Sequence, residues 1–297
     1  MSDPSQPLVS IVTPSFNSAP FLRECIESVL AQDYPNIEYI IMDGGSTDET
    51  PAILDSYRDR IARIHAAPDF GQAQAINRGF SGSAGEIVAF LNADDVYLPG
   101  AVREAVRALQ SQPGAAVVYG NAYHVAADGA IVAPYPTRDF DRAALSRGCF
   151  ICQPAAFVRR EAFEGAGAMN PALHYVLDYD LWLRLAAFGP FVRIEPFLAK
   201  SRVHAGSKSV SDRAAFYREV FSMLKSHYGY VPYEWVQGYA SCLIDRNDQF
   251  FAEPRNTFGA AALALLLGSW INVGRAGTFF RDWLAHRSIG KRLFQRR

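Results

Sequence analysis

Ile87-Val88-Ala89-Phe90-Leu91-Asn92-Ala93-Asp94-Asp95 is the most informative run in this 297-residue chain. Its first five residues are apolar and rich in β-branched and aromatic types, the signature of a strand covered on both faces. The run ends in two adjacent carboxylates. Leu98-Pro99-Gly100 follows, with Pro99 placed to open a helix that reaches about residue 109. Open α/β sheets bind ligands at the carboxyl ends of such buried parallel strands. An oxygen-rich pair suits a hard cation such as magnesium or manganese, and through it a phosphate. The plainer alternative makes Asp94 and Asp95 turn residues ahead of a helix.

Upstream, residues 8–13 form an apolar strand broken by Pro14-Ser15-Phe16-Asn17-Ser18. A helix over 20–31 carries Leu22, Ile26, Val29 and Leu30 at near-helical spacing. Residues 37–42 form a second buried strand, followed by Asp43-Gly44-Gly45-Ser46-Thr47-Asp48. The glycines there permit a tight turn, and Thr47 or Asp48 can cap a helix reaching about Tyr57. A short third strand lies near 61–65; Asp69-Phe70-Gly71-Gln72 and a helix over 73–80 lead into the central strand. This strand–loop–helix alternation predicts an α/β fold: a doubly wound, Rossmann-like, mostly parallel sheet of nucleotide-binding type, flanked by helices. No GxGxxG follows the first strand, which argues against a dinucleotide dehydrogenase.

Downstream, the helix opened by Pro99 extends to 111, residues 115–119 read as a strand, and 123–132 as a hairpin turning at Asp128-Gly129. A strand over 155–158, a short helix over 160–164 and a helix opened by Asp178-Tyr179-Asp180-Leu181-Trp182 follow. The two carboxylates of that helix stand where its dipole favours negative charge, so capping alone would explain Asp180. Residues 191–203 are extended and end in Arg202-Val203-His204-Ala205-Gly206-Ser207-Lys208-Ser209. The remainder is helical in pattern, which divides the chain into 7–232 and a C-terminal helical extension over 233–297. Residues 258–271 are uniformly apolar yet too few to span a bilayer comfortably. Arg275, Arg281, Arg287, Lys291, Arg292, Arg296 and Arg297 follow, against the single acid Asp282. Two readings stay open for this region: an interfacial helix anchored on anionic lipid, or a helix packed on the domain.

Charge is balanced, 29 Lys+Arg against 30 Asp+Glu, so no general polyanion surface and no nucleic-acid partner is expected. The polar N-terminus lacks a basic-then-apolar signal, giving an expectation of a cytoplasmic protein, peripheral on the inner membrane face if the tail docks there. Cys149-Phe150-Ile151-Cys152 has redox spacing, but no second pair completes a zinc site, so the cysteines are expected to be reduced and structural.

With these pieces in place, the chain resembles the family-2 glycosyltransferases of the GT-A fold over roughly residues 7–210. Val9-Ser10-Ile11-Val12-Thr13-Pro14-Ser15-Phe16-Asn17 looks like the family's opening strand and loop, and Asp43 to Asp48 like its "DDGSTD" turn. Residues 69–79 look like its "DxGxxxAxNxG" segment, Asn92-Ala93-Asp94-Asp95 like its DxD-type metal motif, and Asp178-Tyr179-Asp180 like the segment carrying the base. The resemblance implies an inverting transfer of sugar from a nucleotide-diphosphate donor, a UDP-sugar favoured, to a glycan or lipid-linked acceptor hydroxyl. It implies Mn2+ or Mg2+ held by Asp95, Asp94 and His204, with Asp178 as base. It places Pro14, Phe16, Asp43, Gln72, Asn77, Arg78 and Asp94 around the nucleotide, and Gln153 and Trp182 toward the acceptor. Gly44 stands where many relatives carry a second acid, so the nucleobase contact rests on Asp43 alone; Leu177 stands where the family usually carries Glu, which leaves the catalytic base open between Asp178 and Asp180. Two other functions fit the residues less well. A nucleotidyltransferase would need a basic first loop, which is absent; a non-catalytic sugar-nucleotide binder would not need the base.

Overall fold

β1 (Val9–Ser15) is buried along its whole length, as a strand covered on both faces must be. α1 (Ala19–Leu30) has Pro20 in its first turn and buries Leu22, Cys25, Ile26 and Val29 on one stripe. The computed structural model describes residues 6–68, 71–244 and 257–294. Asp69 and Phe70 of the expected glycine-containing segment, and Arg296 and Arg297 of the basic tail, lie outside the described residues.

The alternation continues with β2 (Ile37–Asp43), α2 (Thr50–Ser56), β3 (Arg63–Ala66), α3 (Gln72–Ser81) and β4 (Ile87–Phe90). Helix α3 lies close against the sheet because residue 79 is glycine: a Cβ there would sit 2.7 Å from the Val12 side chain. β5 (Val96–Tyr97), α4 (Ala101–Ser111), β6 (Val117–Val125) and β7 (Ile131–Pro134) come next. The β6–β7 hairpin turns at Gly129, whose φ of +84° glycine adopts without strain. α5 (Arg142–Arg147), a single 3₁₀ turn at Gln153–Ala155, β8 (Ala156–Arg159), α6 (Arg160–Gly165), α7 (Leu177–Leu185) and β9 (Phe191–Arg202) complete the first part.

Among the described residues nine strands form one sheet, ordered β3-β2-β1-β4-β8-β6-β9-β5 with β7 beside β6. The β3-β2-β1-β4 half is parallel, as the βα alternation requires. The other half is mixed, because β8 enters between β4 and β6 in the opposite sense while β6 and β9 run parallel. The core of the sheet joins Ile11, Leu22, Ile26, Ile41, Leu91, Val102, Val118 and Phe157, all fully buried.

The chain divides into two compact units, Met1–Arg142 with Cys149–His204, and Ala143–Gly148 with Ala205–Arg297. The division falls after His204, not near 232. The second unit adds α8 (Lys208–Ser211), α9 (Arg213–Tyr228), α10 (Tyr233–Ile244), α11 (Thr257–Ile271) and α12 (Ala276–Phe294). α9 belongs there because its aromatics pack on α10, with Phe216 on Trp235 and Tyr217 and Phe221 on Tyr239. Buried Asn272 ties the end of α11 to the 231 backbone, accepting from Val231 N at 2.8 Å and donating to Val231 O at 3.1 Å. Asp282 accepts from Arg147, from Tyr230 Oη and from Tyr233 N. No described helix is long and apolar enough to cross a membrane.

Candidate active site

The loops after β1 and β2 are bonded to each other. Asn17 sits at φ +48°, a region asparagine tolerates better than most residues. Its N–H donates to Ser46 Oγ at 2.8 Å, and its side-chain oxygen accepts from Thr47 N at 2.9 Å. Ser18 N donates to Thr50 Oγ1 at 2.9 Å, and Ala19 N to the Asp48 carboxylate at 3.1 Å. Asp43 is buried at the end of β2, where its carboxylate accepts from Gly45 N, Ser46 N and the Ser46 hydroxyl, folding the glycine turn around itself. Pro14 is buried in β1 opposite Met42, whereas the Phe16 ring stands exposed at the same sheet edge.

Past β4 the chain turns through Asn92, and the two acids separate in role. Asp95 is only 3% exposed. It accepts from Arg202 N at 2.8 Å and from Asn92 Nδ2 at 3.3 Å. Burial strips water from this carboxyl and, with the repulsion of Asp94 added, holds its pKa well above the usual carboxylate range. Asp94 is the more open acid, its Oδ2 lying 3.1 Å from His204 Nε2. Asp95, expected among the metal ligands, is therefore turned into the protein, and Asp94 with His204 is the pair that faces out. The end of β9 brings His204 here because Arg202 is locked below it. Its guanidinium donates to the carbonyls of Asp94, Ala126 and Ala127 and to Glu24. Phe21 lies 5.0 Å from that guanidinium and 4.8 Å from the His204 ring.

Behind the acids runs a chain of amides. Gln72 Nε2 donates to Asn92 Oδ1 at 2.6 Å, Asn92 Nδ2 to Gln153 Oε1 at 3.1 Å, and Gln153 Nε2 to Phe90 O at 2.6 Å. Gln72 is thus joined to the acidic turn. Gln153, expected to face the acceptor, is buried behind that turn instead. Asn92 and Arg202 carry no site signal of their own in the sequence; apart from the Asn92–Asp95 bond, their partners lie twenty or more residues away, and only the fold brings them together.

Asn77 departs from expectation more plainly. Its amide donates to Met169 O at 2.8 Å and accepts from Met169 N at 2.9 Å, so both of its functions are engaged by a distant backbone. Arg78 is exposed in the last turn of α3, well round the helix from Gln72. Asn77→Ala should lower unfolding free energy by about 1–3 kcal/mol while nucleotide affinity stays within twofold. A loss of affinity at unchanged stability, read by calorimetry and urea unfolding, would return Asn77 to the binding site.

In the first turn of α7, Asp178 is part-buried and accepts from Tyr179 N at 2.8 Å. Burial raises its pKa to about 6, against the lowering effect of the Tyr179 N–H. Burial, with the charges of Asp95 and Asp178 adding to it, pushes the Cys152 thiol well above its ordinary range. Asp180 is 4% exposed and ion-paired with Arg184 Nε at 2.8 Å, while Arg184 also donates to Ala166 O. Trp182, expected toward the acceptor, is buried in the core beside Phe80, Phe90 and Phe163. All four cysteines are free thiols. Among the described residues no three His, Cys, Asp or Glu side chains converge at metal-binding distance. A cavity of about 400 Å³ opens near the amino end of β2 between Tyr34, Pro35, Ile61 and Arg60, and none of the acids at 94, 95 or 178 lines it.

A parallel-then-mixed sheet with acids at the carboxyl edge defines the GT-A fold, and solved structures agree. Staphylococcus aureus TarS, crystallised with UDP-GlcNAc, matches at a TM-score of 0.66 and 16% identity over 92% of this chain and 83% of that one. The mannosyltransferase PcManGT from Pyrobaculum calidifontis, crystallised with GDP-Man and Mn2+, matches at 0.56 and 18% identity over 97% and 80%. At these identities the likeness establishes the fold alone. Residues 10–167 match glycosyl transferase family 2, and the chain belongs to that family. An uncharacterized glycosyltransferase of Rickettsia felis is 32% identical over 223 residues, covering 69% of this chain but only 36% of that protein. The chondroitin synthase of Pasteurella multocida is 28% identical over 209 residues, 69% of this chain and 22% of the synthase. The chain thus spans about a third of the first of these relatives and less of the second.

Proposed function

We propose that this protein is an inverting, metal-dependent glycosyltransferase that moves a sugar from a nucleoside-diphosphate donor, a UDP-sugar foremost, to a hydroxyl of a glycan or lipid-linked acceptor. Its products would belong to surface polysaccharide or glycolipid, made on the cytoplasmic face of an anionic membrane. The observation that carries this is the outward pair Asp94 and His204, 3.1 Å apart past the carboxyl end of β4.

One carboxylate and one imidazole suit Mn2+ or Mg2+, which take the rest of their shell from diphosphate oxygens and water. When bound, such a cation offsets the negative charge growing on the departing diphosphate. Asp95 keeps the end of β9 in register through Arg202 N, and so keeps His204 opposite Asp94. Exposed Phe16 offers a face for the nucleobase, and Asp43 shapes the turn beside it. Gln72 is placed for ribose or diphosphate. Asp178 takes the proton of the acceptor hydroxyl as its oxygen attacks the anomeric carbon opposite the leaving group.

The test is calorimetric binding of UDP, GDP, dTDP, CDP and ADP, each with manganese and with chelator. UDP is expected to bind with manganese and to lose at least tenfold in affinity without it. Metal-independent binding, or none, would overturn the reading, and a nucleotide other than UDP would reassign the donor.

A further inference from the structure

α11 carries no charged residue from Thr257 to Ile271, and its own unit covers only one side of it. Phe279 of α12 lies so close to Gly268 that a Cβ there would not fit, and Trp283 Nε1 donates to Ala261 O at 3.0 Å. On the other side Phe258 is 73% exposed, Leu266 71%, Trp270 76% and Val273 79%. Spacings of eight and four residues put Phe258, Leu266 and Trp270 on a single stripe of α11, and Val273 is exposed in the turn that follows it. Four such side chains present roughly 500 Å² of apolar surface, near the upper end of what soluble monomers expose. A helix of this length measures about 22 Å, short of the roughly 30 Å of a hydrocarbon core. The stripe therefore suits a helix lying along a surface.

Charge selects the surface. From residue 257 to the end of the sequence stand seven Lys and Arg against one acid, a net charge of +6; the whole chain is −1, so the rest carries −7. The one acid, Asp282, is engaged by Arg147, Tyr230 and Tyr233, while its neighbour Arg281 is exposed. A second copy of the chain on this stripe would bring like charge against like. An anionic bilayer is complementary to both the stripe and its charge, and the indole of Trp270 favours the headgroup level.

We propose that α11 docks on an anionic lipid bilayer, its axis in the membrane plane and Phe258, Leu266, Trp270 and Val273 in the headgroup–acyl boundary. The inference rests on the membrane-surface reading above and names the face that makes the contact. Full-length protein is sedimented with vesicles of mixed phosphatidylglycerol and phosphatidylcholine, and with phosphatidylcholine alone. Wild type should bind the anionic vesicles at least tenfold better, and Leu266→Glu/Trp270→Glu should lose tenfold or more of that binding with unchanged thermal midpoint and nucleotide affinity. Indole emission should shift to the blue on vesicles in wild type and not in Trp270→Phe, a variant that leaves folding undisturbed. Wild-type binding that survives the double substitution, with no emission shift, overturns this face and leaves the membrane reading standing. Absence of binding to any vesicle overturns both. A solution dimer that the double substitution dissociates gives the face to a second copy and overturns the proposal.

Discussion

Asp178→Asn is expected to lower kcat by about a thousandfold while donor binding stays within twofold, since removing a general base typically costs 10²- to 10⁴-fold. Activity of the wild type should follow the same group. A base with a pKa near 6 must be unprotonated to work, so kcat/KM should fall as pH drops through about 6. Stability should move the other way. Burial raises this carboxyl above its range in the unfolded chain, so the folded state holds the proton more tightly. The charged form therefore costs stability at neutral pH, and that cost fades as pH falls through about 6 toward 4. With the part-exposed side chain discounted for solvent screening, Asn should stabilise the fold by about 1 kcal/mol, raising Tm by roughly 2–4 °C. Asp180→Asn should behave oppositely: it leaves Arg184 without its ion pair and should destabilise by about 2–3 kcal/mol. Near-normal turnover in Asp178→Asn, with loss confined to Asp180→Asn, would move the base to the second position.

Asp94→Ala should weaken manganese-dependent nucleotide binding by roughly a hundredfold and reduce turnover by more, because it removes the outward carboxylate. His204→Ala should act in the same direction. Asp95 gives the discriminating variant. A buried carboxyl with a strongly raised pKa is mimicked by a neutral amide, whose oxygen can still accept from Arg202 N. Asp95→Asn should therefore retain metal-dependent binding within a few-fold. Asp95→Ala should lose it, through displacement of the strand end that carries His204. Titration of manganese by calorimetry or electron paramagnetic resonance separates Asp95→Asn from the other variants. If Asp95→Asn abolishes binding as thoroughly as Asp94→Ala, then Asp95 is itself a ligand.

The parallel half of the sheet was legible in the sequence because each βα unit declares itself locally, through an apolar run, a turn and a periodic helix. The acidic turn after β4 was legible for the same reason. Which acid of the pair faces out was not, since that depends on the Arg202 backbone 107 positions later. Asn77 was read as a binding residue because its partner, Met169, lies 92 positions away and leaves no local trace. Trp182 misled in a related way: α7 is buried on nearly all sides, so its aromatic residue carries no facing signal. The mixed half of the sheet follows from where β8 inserts, and short strands do not reveal their neighbours. Arg184 engages the Asp180 carboxylate, a pairing the motif alone does not show.

The bonds that join the loops after β1 and β2 bear on the thermodynamics of donor capture. Asn17, Ser46, Thr47, Asp48 and Thr50 hold these loops together in the folded chain before any ligand arrives. The conformational entropy of ordering these two loops is then lost during folding and not again on association. Nucleotide binding at this edge should accordingly proceed with little rearrangement, by simple docking. Loosening the clasp, as in Asn17→Gly, would make the same contacts at a larger entropic penalty.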